Sequence, residues 1–173
     1  MEGAKIMLEF ASLGAFQNHV TQTMIPAVHS HLGRGLEAAA ELIQNTARAK
    51  IGHYQPSVEH FPAWPELADF TKQDRVAKGF SENDPLLRTG DLRDSIGHAV
   101  SGFEAVIGST SDVAVYQELG TDRIPPRPFL GPAVIQNEEA LRALWHDVLL
   151  RGFLGRGAAS TTQMTGTRLR DGD

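Results

Sequence analysis

Seven histidines and no cysteine set the limits of the chemistry this chain could carry. Without thiols there are no disulfides, iron–sulfur clusters, thiolate zinc sites or cysteine nucleophiles. A histidine metal site needs ligands that converge, most simply two histidines four apart on a helix. His29 and His31 are two apart in a predicted helix and so point to different sides. His53 and His60, with Glu59 beside the latter, form the one cluster a metal-dependent hydrolase could use. His98 falls on the apolar face of a predicted strand, where a hydrogen-bonded core histidine is expected. For nucleophilic catalysis there is no G-x-S-x-G elbow, and Ser95 near His98 is only two polar side chains on a strand. Gly33-Arg34-Gly35 sits inside a helix and not between a strand and a helix, so it is no phosphate loop. These residues predict no enzyme, no metal and no cofactor.

The elements that would position any site read as follows. Leu13, Phe16 and Val20, then Leu32, Leu36, Ala39, Ile43 and Ala47, recur at helical spacing. Pro26 interrupts them, as a kink or as the first-turn residue of a second helix. Leu36 to Lys50 is a helix with basic residues in its last turn and Gly52 as its stop. Residues 53–88 show no period, and Pro56, Pro62, Pro65 and Pro85 break any long element. Tyr54, Phe61, Trp64 and Phe70 are too many aromatics for a solvated linker, so a long loop packed over the core is expected.

From Asp91 to Gly120 the period becomes two. Ile96, His98 and Val100 form one strand face and Phe103, Ala105 and Ile107 the next, joined by a Ser101-Gly102 turn into a β-hairpin. Val113, Val115 and Leu119 suggest a third strand. A helix from Pro132, with Val134, Leu141, Leu144, Trp145 and Val148 on one stripe, would cover the sheet, and Glu138 would pair with Arg142. The predicted fold is α+β: an antiparallel sheet of three or more strands packed against a long N-terminal helix and a C-terminal helix. A single domain over residues 1–154 is followed by a flexible tail, 155–173.

Composition narrows the function classes. The chain has 173 residues, 41% apolar and 21% charged, which suits one globular domain able to bury about 70% of its unfolded surface. No stretch approaches the ~18 apolar residues of a membrane span, and MEGAKIMLEF lacks the apolar run of a secretion signal. A net charge of −5 argues against a general nucleic-acid binder. Tail residues Arg151, Arg156, Arg168 and Arg170 could touch phosphate, but Asp171 and Asp173 dilute them. Between Glu82 and Asp122 the acids Glu82, Asp84, Asp91, Asp94, Glu104, Asp112, Glu118 and Asp122 outnumber Arg88 and Arg93, predicting an acidic face on the sheet region.

Two dense local patterns remain. In LLRTGDLRDSI at 86–96, Thr89 can cap a short helical turn, Gly90 allows close backbone approach, and Leu92 and Ile96 are apolar anchors. In YQELGTDRIPPRPFLGPA at 116–133, Gly120 frees the chain to turn, and Pro125, Pro126 and Pro128 stiffen a segment presenting Phe129 and Leu130. On a strand, Tyr116 and Glu118 would share a face. Arg127 is the nearest basic residue able to meet Glu118, with Arg93 and Arg123 as rivals.

The order TG-x-LR-x-S-I, two hairpin strands, Y-x-x-E-x-GT and P-R-P-F-L-x-P-A resembles the tailed-phage virion morphogenesis and tail-completion (head–tail joining, neck) proteins. The matching residues are Thr89, Gly90, Leu92, Arg93, Ser95 and Ile96, then Tyr116, Glu118, Gly120, Thr121, Arg127, Pro128, Phe129, Leu130, Pro132 and Ala133. WPELADFTKQDRVAKGF at 64–80 also looks like the W-x-x-L…T…K-G lead-in of the Mu-type branch. The resemblance spans roughly residues 40–150, about one domain. It implies a structural virion protein of the neck, connector or tail terminator. Such a protein is made in the bacterial cytoplasm and assembles as a homo-oligomeric ring beside other neck, connector or tail-tube proteins. DNA would pass its channel without sequence-specific binding, and no membrane would be involved. A cytoplasmic assembly factor or nucleic-acid-associated protein outside the particle is the competing class, and a His/Glu metal-dependent hydrolase the enzymatic one.

Overall fold

The structure, a computed structural model, describes residues 9–154; the tail 155–173 lies outside them. The described residues divide into two compact units, one of residues 9–32 and 146–154, the other Gly33–Trp145. In the first, α1 (Leu13–His19) opens on Ser12, whose Oγ accepts the Ala15 N–H at 3.1 Å. A π-helical turn, Val20–Met24, follows and leads into α2 (Ile25–Lys50). Pro26 thus stands just past this turn inside a helical run that continues without a break from Leu13 to Lys50, and the wider π-helical turn lies where the proline has no N–H to donate back. Gly152 lies close over Val28, 3.4 Å from where its Cβ would stand.

The second unit carries the core. The C-terminal half of α2 turns Ala39, Ala40, Ile43, Ala47 and Lys50 inward, and Gly52, at φ +99°, ends the run. Ile43, Ala47, Ile51, Trp64, Leu92, Ile96, Ala114, Phe129 and Ala133 form one buried cluster. Lys50, 3% exposed, is held by donating to Gln136 Oε1 at 2.6 Å, and burial pushes its pKa down.

The segment 53–88 is not a continuous loop, because it contains α3 (Asp69–Ala77). This helix lacks the apolar stripe that reveals a helix in a sequence. Its buried residue is Arg75, 4% exposed, which donates from Nε to Ser81 O at 2.6 Å and from Nη2 to Leu87 O. The guanidinium thus ties α3 to the chain that follows by satisfying backbone acceptors.

After α4 (Asp91–Ser95) come β1 (Ile96–Ser101) and β2 (Glu104–Ser109), antiparallel, with Ser101 opposite Glu104. The hairpin turn is therefore Gly102-Phe103, one residue later than the Ser101-Gly102 turn expected, and Gly102 takes the φ of +59° that the turn requires. Among the described residues the sheet has two strands and not three or more. The expected third strand is a helix, α5 (Asp112–Leu119). Its buried or half-buried residues are Ala114, Gln117 and Glu118, at i, i+3 and i+4, whereas Val113, Val115 and Leu119 are exposed. Exposed valines two apart, on different flanks of the helix, mimic strand alternation. The single helix expected from Pro132 is likewise two, α6 (Leu130–Gln136) and α7 (Glu138–Leu154), parted at Asn137. Asn137 Nδ2 donates to Ala133 O and Thr46 Oγ1, both at 2.8 Å, and Glu138 pairs with Arg142 as expected.

A two-stranded hairpin is marginal alone. Ile96, His98, Val100, Ala105, Ile107 and Ser109 share the face that α2 covers, by the pairing register. There His98 Nδ1 lies 2.7 Å from Gln44 Oε1 and Nε2 lies 3.0 Å from Glu37 Oε1. Arg48 Nε donates to Ile96 O at 2.9 Å, which pins the start of β1 to the helix. Of the eight acids expected to give the sheet region an acidic face, Glu104 alone stands on a strand, while Asp91 and Asp94 lie on α4 and Asp112 and Glu118 on α5.

Candidate functional site

The three segments singled out in the sequence meet on one side of the core cluster. Glu118, on the inner face of α5, accepts the N–H of Phe129 (2.7 Å) and Leu130 (3.0 Å) at Oε2, and that of Gly131 (2.9 Å) at Oε1. Those amides open α6, and a helix start leaves its first N–H groups without partners inside the helix. One carboxylate satisfies three of them, where the helix dipole also favours negative charge.

Arg127 does not pair with Glu118, and neither do Arg93 or Arg123. Its guanidinium donates to Pro65 O (2.9 Å from Nη2) and Glu66 O (3.1 Å), and burial pushes its pKa down. Trp64 Nε1 donates to Pro128 O at 3.0 Å from the other side. The expected Glu118–Arg127 pair is replaced by two separate clasps on backbone groups. Proline explains part of this. The Arg127-Pro128 and Trp64-Pro65 segments are extended and make few bonds of their own, so their carbonyls remain for side-chain donors. Phe129, 0% exposed, drops into the core between the clasps, Pro128 is buried with it, and Leu130 is half-buried.

Gly120 ends α5 at φ +74° and ψ 177°, a region essentially reserved for glycine. A Cβ there would stand 2.9 Å from Ile124 O and 3.0 Å from Pro126 N. Thr121 closes the turn: its N–H donates to Ile124 O at 2.8 Å, and its Oγ1 accepts from Ile124 N at 3.1 Å. Gly120→Ala is therefore expected to destabilise the fold by about 2 kcal/mol, from backbone strain and from a clash against atoms that cannot swing away. Urea unfolding measures this, and a midpoint equal to that of the wild type would contradict the stated geometry.

In the 86–96 segment Gly90, at φ +99°, precedes α4, and Thr89 Oγ1 donates to Asp91 Oδ2 at 2.7 Å and accepts the N–H of Asp91, the first residue of α4, at 3.5 Å. Leu92 and Ile96 are core anchors, as expected. Arg93 is exposed and pairs with Asp94 at 3.0 Å. Ser95 Oγ lies 2.7 Å from both Leu92 O and Ser109 Oγ, which joins the two ends of the hairpin. Tyr116 is exposed. Leu86 to Leu92, except Leu87, line a cleft of about 210 Å³ with Ser111, Val113 and Gln117. The buried Gln117 Oε1 has no hydrogen-bond partner, so it can accept from an N–H or O–H. No histidine lines this cleft.

The histidine cluster is not assembled into a ligand set. His60 Nδ1 is 4.0 Å from Glu59 Oε2, both side chains are exposed, and the His60 ring leans on Phe61. Among the described residues no group of three or more His, Cys, Asp or Glu side chains could hold a metal ion. Nor is any described helix long and apolar enough to cross a membrane. The residues that reasoning from sequence missed are donors to backbone: Arg48, Arg75 and the indole of Trp64. Their signal in the sequence is weak, a basic residue or tryptophan flanked by prolines or sitting on an otherwise polar helix. Family models, curated proteins and solved structures offer no match to this chain.

Proposed function

We propose that the chain is a structural, non-enzymatic component of a tailed-phage or phage-derived particle, at the neck or the head-proximal end of the tail. It assembles there as a ring around the DNA channel and joins tail to head. The observation that carries this reading is the convergence of the 64–80, 86–96 and 116–133 segments. Trp64, Leu92, Ile96, Phe129 and Ala133 are buried together, and Glu118, Arg127 and Trp64 spend their polar atoms on backbone groups of these same segments. Side chains that hold one another in place serve a rigid module, and the resemblance supplies the kind of particle in which such a module is used. Ring contacts are heterologous, so a module of this kind must present two different surfaces that match.

Electron microscopy of the purified protein, with immunogold labelling of particles from the source strain, tests the reading. Ring-shaped assemblies and label at the head–tail junction are expected. A protein found with assembling cells but absent from finished particles would instead be an assembly factor, and the proposal would fail.

A further inference from the structure

Helix α5 has its apolar residues on the wrong side for a small domain. Its inward positions are Ala114, Gln117 and Glu118, while Val115, Tyr116 and Leu119 (73% exposed), at i, i+1 and i+4, share the opposite side. Three large apolar residues on one side of an eight-residue helix are more than the scattered exposure a monomer carries. The hairpin has a second bare face. The pairing register puts Gly97, Gly108, Ala99, Val106, Ser101 and Glu104 on the side away from α2. Val106 is 59% exposed, and nothing lies within 4 Å of a Cβ built on Gly97 or Gly108.

We propose that these two faces cover each other between copies: α5 of one protomer docks on the outer face of the hairpin of a second copy, with Arg123 of the first meeting Glu104 of the second. The inference rests on the reading of the chain as a self-assembling particle component, and it names the surfaces that reading requires. A helix and a flat sheet face are the two kinds of apolar surface that bury one another in layered folds. The helix fits within the length of the sheet face, since eight helical residues span about 12 Å and six strand residues about 20 Å.

Charge complementarity selects a second copy as the occupant. Glu104 is exposed at the tip of the hairpin, on its outer face, and Arg123 is exposed in the turn just beyond the C-terminal end of α5. Neither has an ion-pair partner among the described residues. The Arg123 turn is fixed by Thr121, whose Oγ1 accepts from the Arg123 N–H at 3.3 Å, so its charge is presented with little loss of entropy on binding. The contact is head-to-tail, with different surfaces on each side, as a closed ring needs.

The test uses the full chain in four forms: wild type, Glu104→Arg, Arg123→Glu, and an equimolar mixture of the two variants. Both positions are exposed, so the fold should survive, and circular dichroism checks this. Sedimentation velocity across concentrations is expected to show self-association of the wild type and a weakening of about tenfold or more in each variant alone, because like charges then face each other. The mixture is expected to recover association. The native Arg123 of the Glu104→Arg chain then meets the native Glu104 of the Arg123→Glu chain, and at the reciprocal contact the two substituted side chains meet with opposite charges. Recovery on mixing cannot arise from a pair within one chain. Association that ignores both variants, or that fails to recover in the mixture, overturns this docking mode and leaves the particle reading standing. A wild type that is monomeric in solution yet present in particles also overturns it, because the bare faces then serve a different protein. A chain that neither associates nor enters particles ends both.

Discussion

Phe129→Ala is expected to lower the unfolding free energy by about 3–5 kcal/mol, the cost of emptying a packed aromatic site. The ring is fully buried among Ile43, Ala47, Trp64, Leu92, Ile96, Ala114 and Ala133. Collapse around the missing ring is restricted on every side. The backbone N–H of Phe129 is fixed by Glu118, that of Arg127 donates to Gln117 O at 2.7 Å, and Pro128 O is held by Trp64. The loop therefore cannot move inward to fill the space, and the cavity term adds to the lost transfer energy. The melting midpoint should fall by about 6–20 °C. Leu119→Ala is the contrasting case. Leu119 is largely exposed, so the stability of the isolated protomer should change by no more than ~0.5 kcal/mol. Thermal and urea unfolding of the two variants side by side decide it. A Phe129→Ala protein as stable as the wild type would mean that the 124–133 segment is a connector and not an anchor.

That anchor was legible in the sequence because proline and an aromatic carry their meaning locally. Three prolines stiffen the segment and a phenyl ring beside them needs somewhere dry. The long part of α2 was legible for a similar reason, since Leu36, Ala39, Ile43 and Ala47 repeat at a spacing that only a helix turns into one face. The failures share a different cause. Helix α5 reads as a strand because Val113 and Val115 alternate with small or polar residues, and the residue that fixes its orientation, Glu118, is polar. Helix α3 is invisible because Arg75 takes the place of its core residue. In both, the inward face is defined by hydrogen bonds to distant backbone groups, and a single sequence does not say which carbonyl or amide will be waiting. The same holds for the partners of Glu118 and Arg127. Opposite charges nine residues apart suggest an ion pair, but both groups were instead claimed by backbone left unbonded at a helix start and between prolines.

Glu118 is consequently worth more than a side chain that holds the base of a loop by one ion pair. Glu118→Ala leaves the N–H groups of Phe129, Leu130 and Gly131 without their acceptor at a part-buried position. Each such bond to a charged acceptor contributes ~1.5–3 kcal/mol, and bonds sharing one carboxylate do not add, so a loss of about 2–4 kcal/mol is expected. Glu118→Gln should recover little of this. The amide keeps one oxygen, but its NH2 group would then face an N–H, donor against donor, and the favourable charge at the start of α6 is gone. Glu118→Gln thus separates the hydrogen-bonding role from simple filling of space, which it preserves. Hydrogen exchange gives a readout specific to the cap: the amides of Phe129, Leu130 and Gly131 should exchange faster in both variants, while those of β1 and β2 respond only through the global loss of stability. If Glu118→Gln kept wild-type stability and wild-type protection at these three amides, the carboxylate would not be what organises the start of α6, and the convergence of segments on that point would need another cause.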